Sequence, residues 1–169
     1  MKLTKEYFKQ DALNLAEDLL GKFLCRNISG KIVKLRITET ECYLGKDDSA
    51  SHASRGKTLR NQVMFKQGGY AYIYLCYGIH FLFNIVTGER NSPQAVLIRG
   101  VENFSGPGKL TKALKIDKNL NGVNLASSKE IWLESDCVQF EHSKAKRVGI
   151  NYAKSADREK LWRFIAIQK

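Results

Sequence analysis

The sequence predicts a single domain of the α+β class, and three observations carry the prediction. Its 169 residues are enough for one domain with a sizeable core, and 43% hydrophobic with 27% charged residues is an ordinary globular balance. Only two prolines occur, and no Ser/Gly-rich linker divides the chain. Helical periodicity marks a few segments, while most of the remainder alternates with the period of two that belongs to strands.

Ala12, Leu15, Ala16, Leu19 and Leu20 form an apolar stripe of helical spacing, so Asp11–Leu20 is a helix that covers a sheet. Asp11 suits its N-cap, and Gly21 suits the left-handed position past its end. Lys22–Arg26 is a strand and Asn27–Gly30 a turn. A long strand, Lys31–Tyr43, follows antiparallel to it. Residues 45–61 are a polar loop, long enough for a functional role.

Tyr70–Val86 is a hairpin. Tyr70, Tyr72 and Tyr74 alternate on one arm, and Ile79, Phe81, Phe83 and Ile85 on the other. Tyr77-Gly78 makes the turn. Most of these rings belong to a core. Tyr77 and Ile79, however, fall where the chain is most exposed, and apolar groups at such a tip are candidates for wedging into a base stack. Gln94–Val101 is near-continuously apolar, as in a buried central strand, and ends with Arg99, which calls for a carboxylate partner. Gly106-Pro107-Gly108-Lys109 opens a helix over Lys109–Ile116. It is either a plain capping turn or a set of free N–H groups for a phosphate, and it lacks Walker spacing. Glu130–Glu134 is a short strand, 144–150 a basic run entering a strand, Ala156–Leu161 a helical turn, and Trp162–Ile167 a final strand closing the sheet.

The most informative stretch is the end of the long strand. Counting by twos, Val33, Leu35, Ile37, Glu39, Glu41 and Tyr43 share one face. An apolar row therefore runs into two acids and an aromatic ring, as if the core face opens into a pocket. An exposed strand end with surface ion pairs is the plainer alternative.

Net charge is +11 with a pI near 9.6, which favours phosphate or an anionic surface as partner. Four cysteines at 25, 42, 76 and 137 form no C-x-x-C pair and match no zinc spacing, and the three histidines are scattered. No secretory h-region and no membrane-length apolar run is present, so free thiols in a reducing cytoplasm are expected, with no metal.

A basic surface, an acid beside Tyr and His, and an aromatic-tipped hairpin together point to chemistry on a flipped base. The ordered set Glu39–Gly45, Ser51-His52-Ala53, Arg60-Asn61 with Met64-Phe65, Tyr72–Gly78, Asn84, Leu97–Arg99, Gly106–Leu110 and Arg147–Ile150 resembles the alkyladenine (3-methyladenine) DNA glycosylase family, from about Leu13 to Phe164. The resemblance implies a curved, mostly antiparallel sheet flanked by helices, with a protruding hairpin that inserts into the DNA minor groove. It implies a monomer that excises alkylated or deaminated purines from damaged double-stranded DNA, without cofactor or membrane. Such a protein works at the nucleoid of a prokaryote or in a eukaryotic nucleus.

Carried over by position, Glu41 resembles the acid that activates water, Arg99 the residue that helps hold Glu41 and that water, and the Val148 carbonyl a third water contact. Tyr43, His52 and Tyr74 resemble the rings that enclose the base, and Asn84 the residue that disfavours guanine. Tyr77, with Ile79, resembles the group that fills the vacated stack, and Arg60, Gly106, Gly108 and Lys109 resemble contacts to the DNA backbone. Cys42 and Leu59 depart from the family pattern at positions with no proposed chemistry. Glu39 is the rival base, and a structural ion pair is its alternative role; His80 is assigned none. Two other readings stay open at this stage: a non-enzymatic nucleic-acid-binding module, and a phosphodiesterase, for which no metal set or nucleophile–base pair is evident.

Overall fold

The computed structural model describes residues 1–167. Helix α1 (Ala12–Asp18) begins where expected. The Asp11 carboxylate accepts the Asn14 N–H at 3.0 Å, and Gly21, at φ +83°, lets the chain turn away. Its apolar stripe is wholly buried. Strands β1 (Phe23–Ile28) and β2 (Lys31–Tyr43) are joined by Ser29-Gly30, both at positive φ, the two-residue turn that matches strand twist.

Next come β3 (Ala71–Cys76), β4 (His80–Thr87) and β5 (Gln94–Val101), then the two-residue β6 (Phe104–Ser105) and helix α2 (Pro107–Ala113). The chain continues through β7 (Ile131–Glu134), β8 (His142–Ala145), α3 (Ser155–Arg158) and β9 (Arg163–Ala166). All paired strands run antiparallel, in one nine-stranded sheet whose main path is β3-β4-β5-β2-β1-β7. Strand β2 is the pivot. Its first half pairs with β1, and its second half pairs with β5 on one edge and β9 on the other, so the sheet curls around it.

The continuous face expected along β2 is not present. The register shifts between Ile37 and Glu39 and again between Glu39 and Thr40. Ile37 lies in the main core with Val33 and Leu35 packed against it, but beyond the bulge the core-facing residues are Thr40 and Cys42. The Thr40 hydroxyl donates to the Ala16 carbonyl of α1 at 2.7 Å. Glu39, Glu41 and Tyr43 therefore face away from the core that holds Ile37. A bulge adds a residue on one strand and so exchanges the two faces beyond it.

Two further expectations are corrected. Helix α2 starts at Pro107 rather than Lys109, because Gly106 (φ +118°) caps it and proline fits the first helical position. The basic run does not enter a strand; it leaves one. After β8 the chain becomes a loop in which Arg147 is buried and Gly149 takes φ +74°. The 45–61 loop is polar as expected yet compact. Asn61, 2% exposed, donates to the carbonyls of His52 and Gly56, both at 3.0 Å, and accepts the Thr58 N–H at 2.7 Å. A second apolar cluster (Ala53, Val63, Met64, Phe65, Tyr72, Val86 and Ala95) anchors this loop to the sheet face opposite the main core.

Candidate active site

The reversed face of β2 meets three other segments at one point. Glu41 is fully buried. Its Oε1 accepts the main-chain N–H of Val148 at 2.8 Å, and its Oε2 accepts the Tyr43 hydroxyl at 2.8 Å. Arg99, carried on β5, brings Nη1 to 3.5 Å from Glu41 Oε1 and Nε to 3.4 Å from Glu39 Oε1. These are ion-pair contacts without hydrogen-bond geometry, and Arg99 Nε is a buried donor left without a hydrogen-bond partner. The two candidate acids are thereby distinguished. Glu39 also accepts from Arg163 Nη1 at 2.9 Å and serves as a structural ion-pair partner, whereas Glu41 is the enclosed one.

Burial pushes the Glu41 carboxyl above its usual range, and Arg99, the Val148 N–H, the Tyr43 hydroxyl and Arg147 pull it back. The Tyr43 hydroxyl is driven upward by its own burial and by Glu41, so it stays a donor.

Beside Glu41 lies a cavity of about 310 Å³ whose lining includes Tyr43, Ser51, His52, Tyr72, Tyr74 and Asn84. This size and this mix of rings with a few polar groups suit a small planar ligand. His52 Nδ1 is 3.0 Å from the Tyr72 hydroxyl, and its ring meets Tyr74 edge-on at 4.5 Å. Burial, with Arg60 adding to it, lowers the His52 pKa, so the ring is neutral at neutral pH. The Tyr72 hydroxyl is pushed up to about 12, chiefly by burial. Asn84 is held by its side-chain N–H to the Tyr72 carbonyl at 3.2 Å.

The cavity opens into a wider groove that reaches Tyr77, Arg60, Arg99, Gly106, Gly108, Lys109 and Val148. Every singled-out residue thus lies on the cavity or the groove except Ile79 and the buried Glu41, which Arg99, Tyr43 and Val148 surround. Ile79 is 72% exposed at the hairpin tip and lines neither space. Arg60 stacks over Tyr74 at 5.5 Å and donates to the Leu75 carbonyl at 3.2 Å, so it braces the hairpin from the loop side.

Four contributors were not singled out from the sequence. Tyr72 and Tyr152 line the cavity, and Arg147 and Asp48 form a buried ion pair behind it. Tyr72 was signalled by its place between Tyr70 and Tyr74; the others carry no local signal. Among the described residues, no group of three or more His, Cys, Asp or Glu is placed to hold a metal ion, and no helix is long and apolar enough to cross a membrane.

Comparison with known proteins places the chain among the DNA glycosylases, hydrolases that act on N-glycosyl bonds in DNA repair. More narrowly, the family model described as methylpurine-DNA glycosylase matches residues 6–105 and 102–169, and the chain belongs to that family. Its relatives include proteins named "Putative 3-methyladenine DNA glycosylase". One from Natranaerobius thermophilus is 43% identical over 97% of this chain and 94% of its own length. One from Borrelia garinii subsp. bavariensis is 45% identical over 96% and 94%, and one from Clostridium perfringens 40% identical over 97% and 95%.

Proposed function

We propose that this chain, acting as one monomeric domain, is a monofunctional glycosylase. It flips alkylated or deaminated purines of the 3-methyladenine, 7-methylguanine and hypoxanthine class out of duplex DNA and hydrolyses their N-glycosidic bond. The observation that carries the reading is Glu41: a buried carboxylate held by Val148, Tyr43 and Arg99 beside a ring-lined cavity.

In this reading Glu41 takes a proton from water. The water oxygen bonds to the sugar anomeric carbon, and the purine departs with the electron pair of the broken C–N bond. The sugar passes through oxocarbenium character, which the carboxylate stabilises. Arg99 and the Val148 main chain orient the water, and no cofactor takes part. Tyr43 stacks on one face of the base, and His52 with Tyr74 on the other. An N3- or N7-alkylated purine is a cation, so aromatic faces attract it and a neutral His52 does not repel it. Such a base leaves as a neutral molecule. Damaged bases also pair and stack less well, which lowers the cost of flipping.

Asn84 disfavours the exocyclic amino group of guanine. Tyr77 and Ile79, 87% and 72% exposed, enter the minor groove and fill the vacated stack, while Arg60, Gly106, Gly108 and Lys109 meet the backbone. The test is a panel of duplexes, each carrying one lesion, incubated with EDTA and then treated with alkali to reveal abasic sites. Base release is expected from the wild type and none from Glu41→Gln, whose binding to the same duplexes persists. Undiminished turnover in that variant would refute the assignment of the base, and salt-sensitive binding with no release from any lesion would favour a passive binding module.

A further inference from the structure

Arg147 and Asp48 lie behind the site and are both completely buried. Arg147 donates from Nη1 to Asp48 Oδ2 at 2.6 Å and from Nη2 to Asp48 Oδ1 at 2.9 Å. The same nitrogens reach the Cys42 carbonyl at 3.0 Å and the Asp157 carbonyl at 3.2 Å. The guanidinium sits between the Tyr43 and Trp162 rings, 5.0 Å and 4.9 Å from their centroids. Asp48 in turn accepts the N–H groups of Leu44 and Ala50, both at 3.1 Å. One ion pair therefore ties together the end of β2, the 44–51 loop, α3 and the loop after β8.

A buried ion pair is a weak source of stability, because desolvation offsets most of its attraction, and an apolar pair of similar volume does as well. What this pair fixes is geometry. The residue after Arg147 is Val148, whose N–H is on Glu41. The ring stacked on Arg147 is Tyr43, whose hydroxyl is on the other oxygen of Glu41. Residues 50 and 51, next along from Asp48, line the cavity.

We propose that Arg147 and Asp48 are positioning residues that clamp the Val148 amide and the Tyr43 hydroxyl onto Glu41, keeping that carboxylate ionised and aimed for the hydrolytic step. The inference rests on Glu41 being the base. The groups facing Glu41 are Arg99 from β5, Tyr43 from its own strand, the Val148 amide and Arg147 from the loop after β8, Tyr74 from β3, and Tyr152; Glu39 and Arg163 lie beyond Arg99. Releasing the clamp removes a donor that favours the ionised carboxylate. Glu41 then holds its proton to higher pH.

The test uses the full chain carrying Arg147→Lys, which keeps the charge but loses the two-pronged contact. A second form, Asp48→Asn with Arg147→Gln, replaces the ion pair by two neutral amides and serves if the first does not fold. The Glu41 carboxyl is followed by ¹³C NMR in DNA-free protein, its signal identified by its absence in Glu41→Gln. Its midpoint is expected to move upward by about one pH unit, the loss of one hydrogen bond to a charged group. The acid limb of kcat on a hypoxanthine duplex moves with it. At neutral pH kcat falls by about tenfold to a hundredfold while KM changes less than about twofold. A folded variant with lowered Tm and an unmoved Glu41 midpoint overturns the proposal and leaves the pair a merely structural one. Base release surviving in Glu41→Gln would instead remove the assignment of the base, and the carboxyl titration would still report on the clamp.

Discussion

The Tyr43 hydroxyl donates to Glu41 Oε2 at 2.8 Å, so the residue whose ring faces the cavity is also bound to the buried acid. Tyr43→Phe separates the two. The ring remains for stacking, and the carboxylate loses a donor. Glu41 then protonates at higher pH, and the acid limb of the pH–rate profile moves upward by about one pH unit, with little change in lesion affinity. A profile measured on a hypoxanthine duplex checks this; an unmoved limb would mean that the hydroxyl does not act on the base.

Glu41 also sets a pH dependence of stability. Its folded pKa is raised, chiefly by burial, so folding favours the protonated form. The stability it contributes is fully present below the ordinary carboxylate pKa and is lost as pH rises through the raised folded value. Glu41→Gln, which never ionises, is therefore expected to be more stable than wild type at neutral pH and indistinguishable at strongly acidic pH. Arg99 is not left alone in the variant, because Glu39 stays 3.4 Å from its Nε. Thermal unfolding across the pH range reads the difference as a Tm gain of a few degrees, about 2–4 °C per kcal/mol for a chain of this size.

The hairpin is set against the N-terminal turn of α2. The Thr111 hydroxyl donates to the Phe81 carbonyl at 2.7 Å, and a Cβ on Gly108 would lie 2.8 Å from His80 Cγ. Gly108→Ala must push His80, and with it the first residue of β4, out of place. Activity on duplex lesions is expected to fall by about tenfold. Gly108→Ala with His80→Ala restores most of it, because the clash has no second partner. Failure of the double variant to recover would place the role of Gly108 in its own backbone.

Tyr77 is 87% exposed and supports no core. Tyr77→Ala is expected to change stability by less than about 0.5 kcal/mol. Base release from duplex DNA falls by about tenfold or more, while release from single strands, which have no stack to refill, is affected far less. Urea unfolding and parallel assays on both substrates measure the two effects.

Much of this protein was legible in its residues. The stripe at Ala12–Leu20, the alternation around Tyr77-Gly78 and the apolar run before Arg99 gave α1, the hairpin and β5 with nearly correct bounds, because periodicity and turn chemistry are local properties. The long strand ending at Tyr43 was legible too, along with the two acids on it and the Arg99 that would need one of them.

What the sequence could not carry was the orientation of those acids. No glycine or proline at Thr38, Glu39 or Thr40 announces the bulge that exchanges the faces of β2; it exists only in the pairing with β5. The choice between Glu39 and Glu41 likewise depends on which carboxylate meets Val148, 107 residues on, and which meets Arg163, 124 residues on. The clamp behind them joins Asp48 to Arg147 across 99 residues. The sequence by itself determined the segments and the chemical groups they carry, since those follow from short-range spacing. Only the tertiary structure decided which carboxylate is buried and what holds it, because burial and ion pairing depend on contacts between segments far apart in the chain.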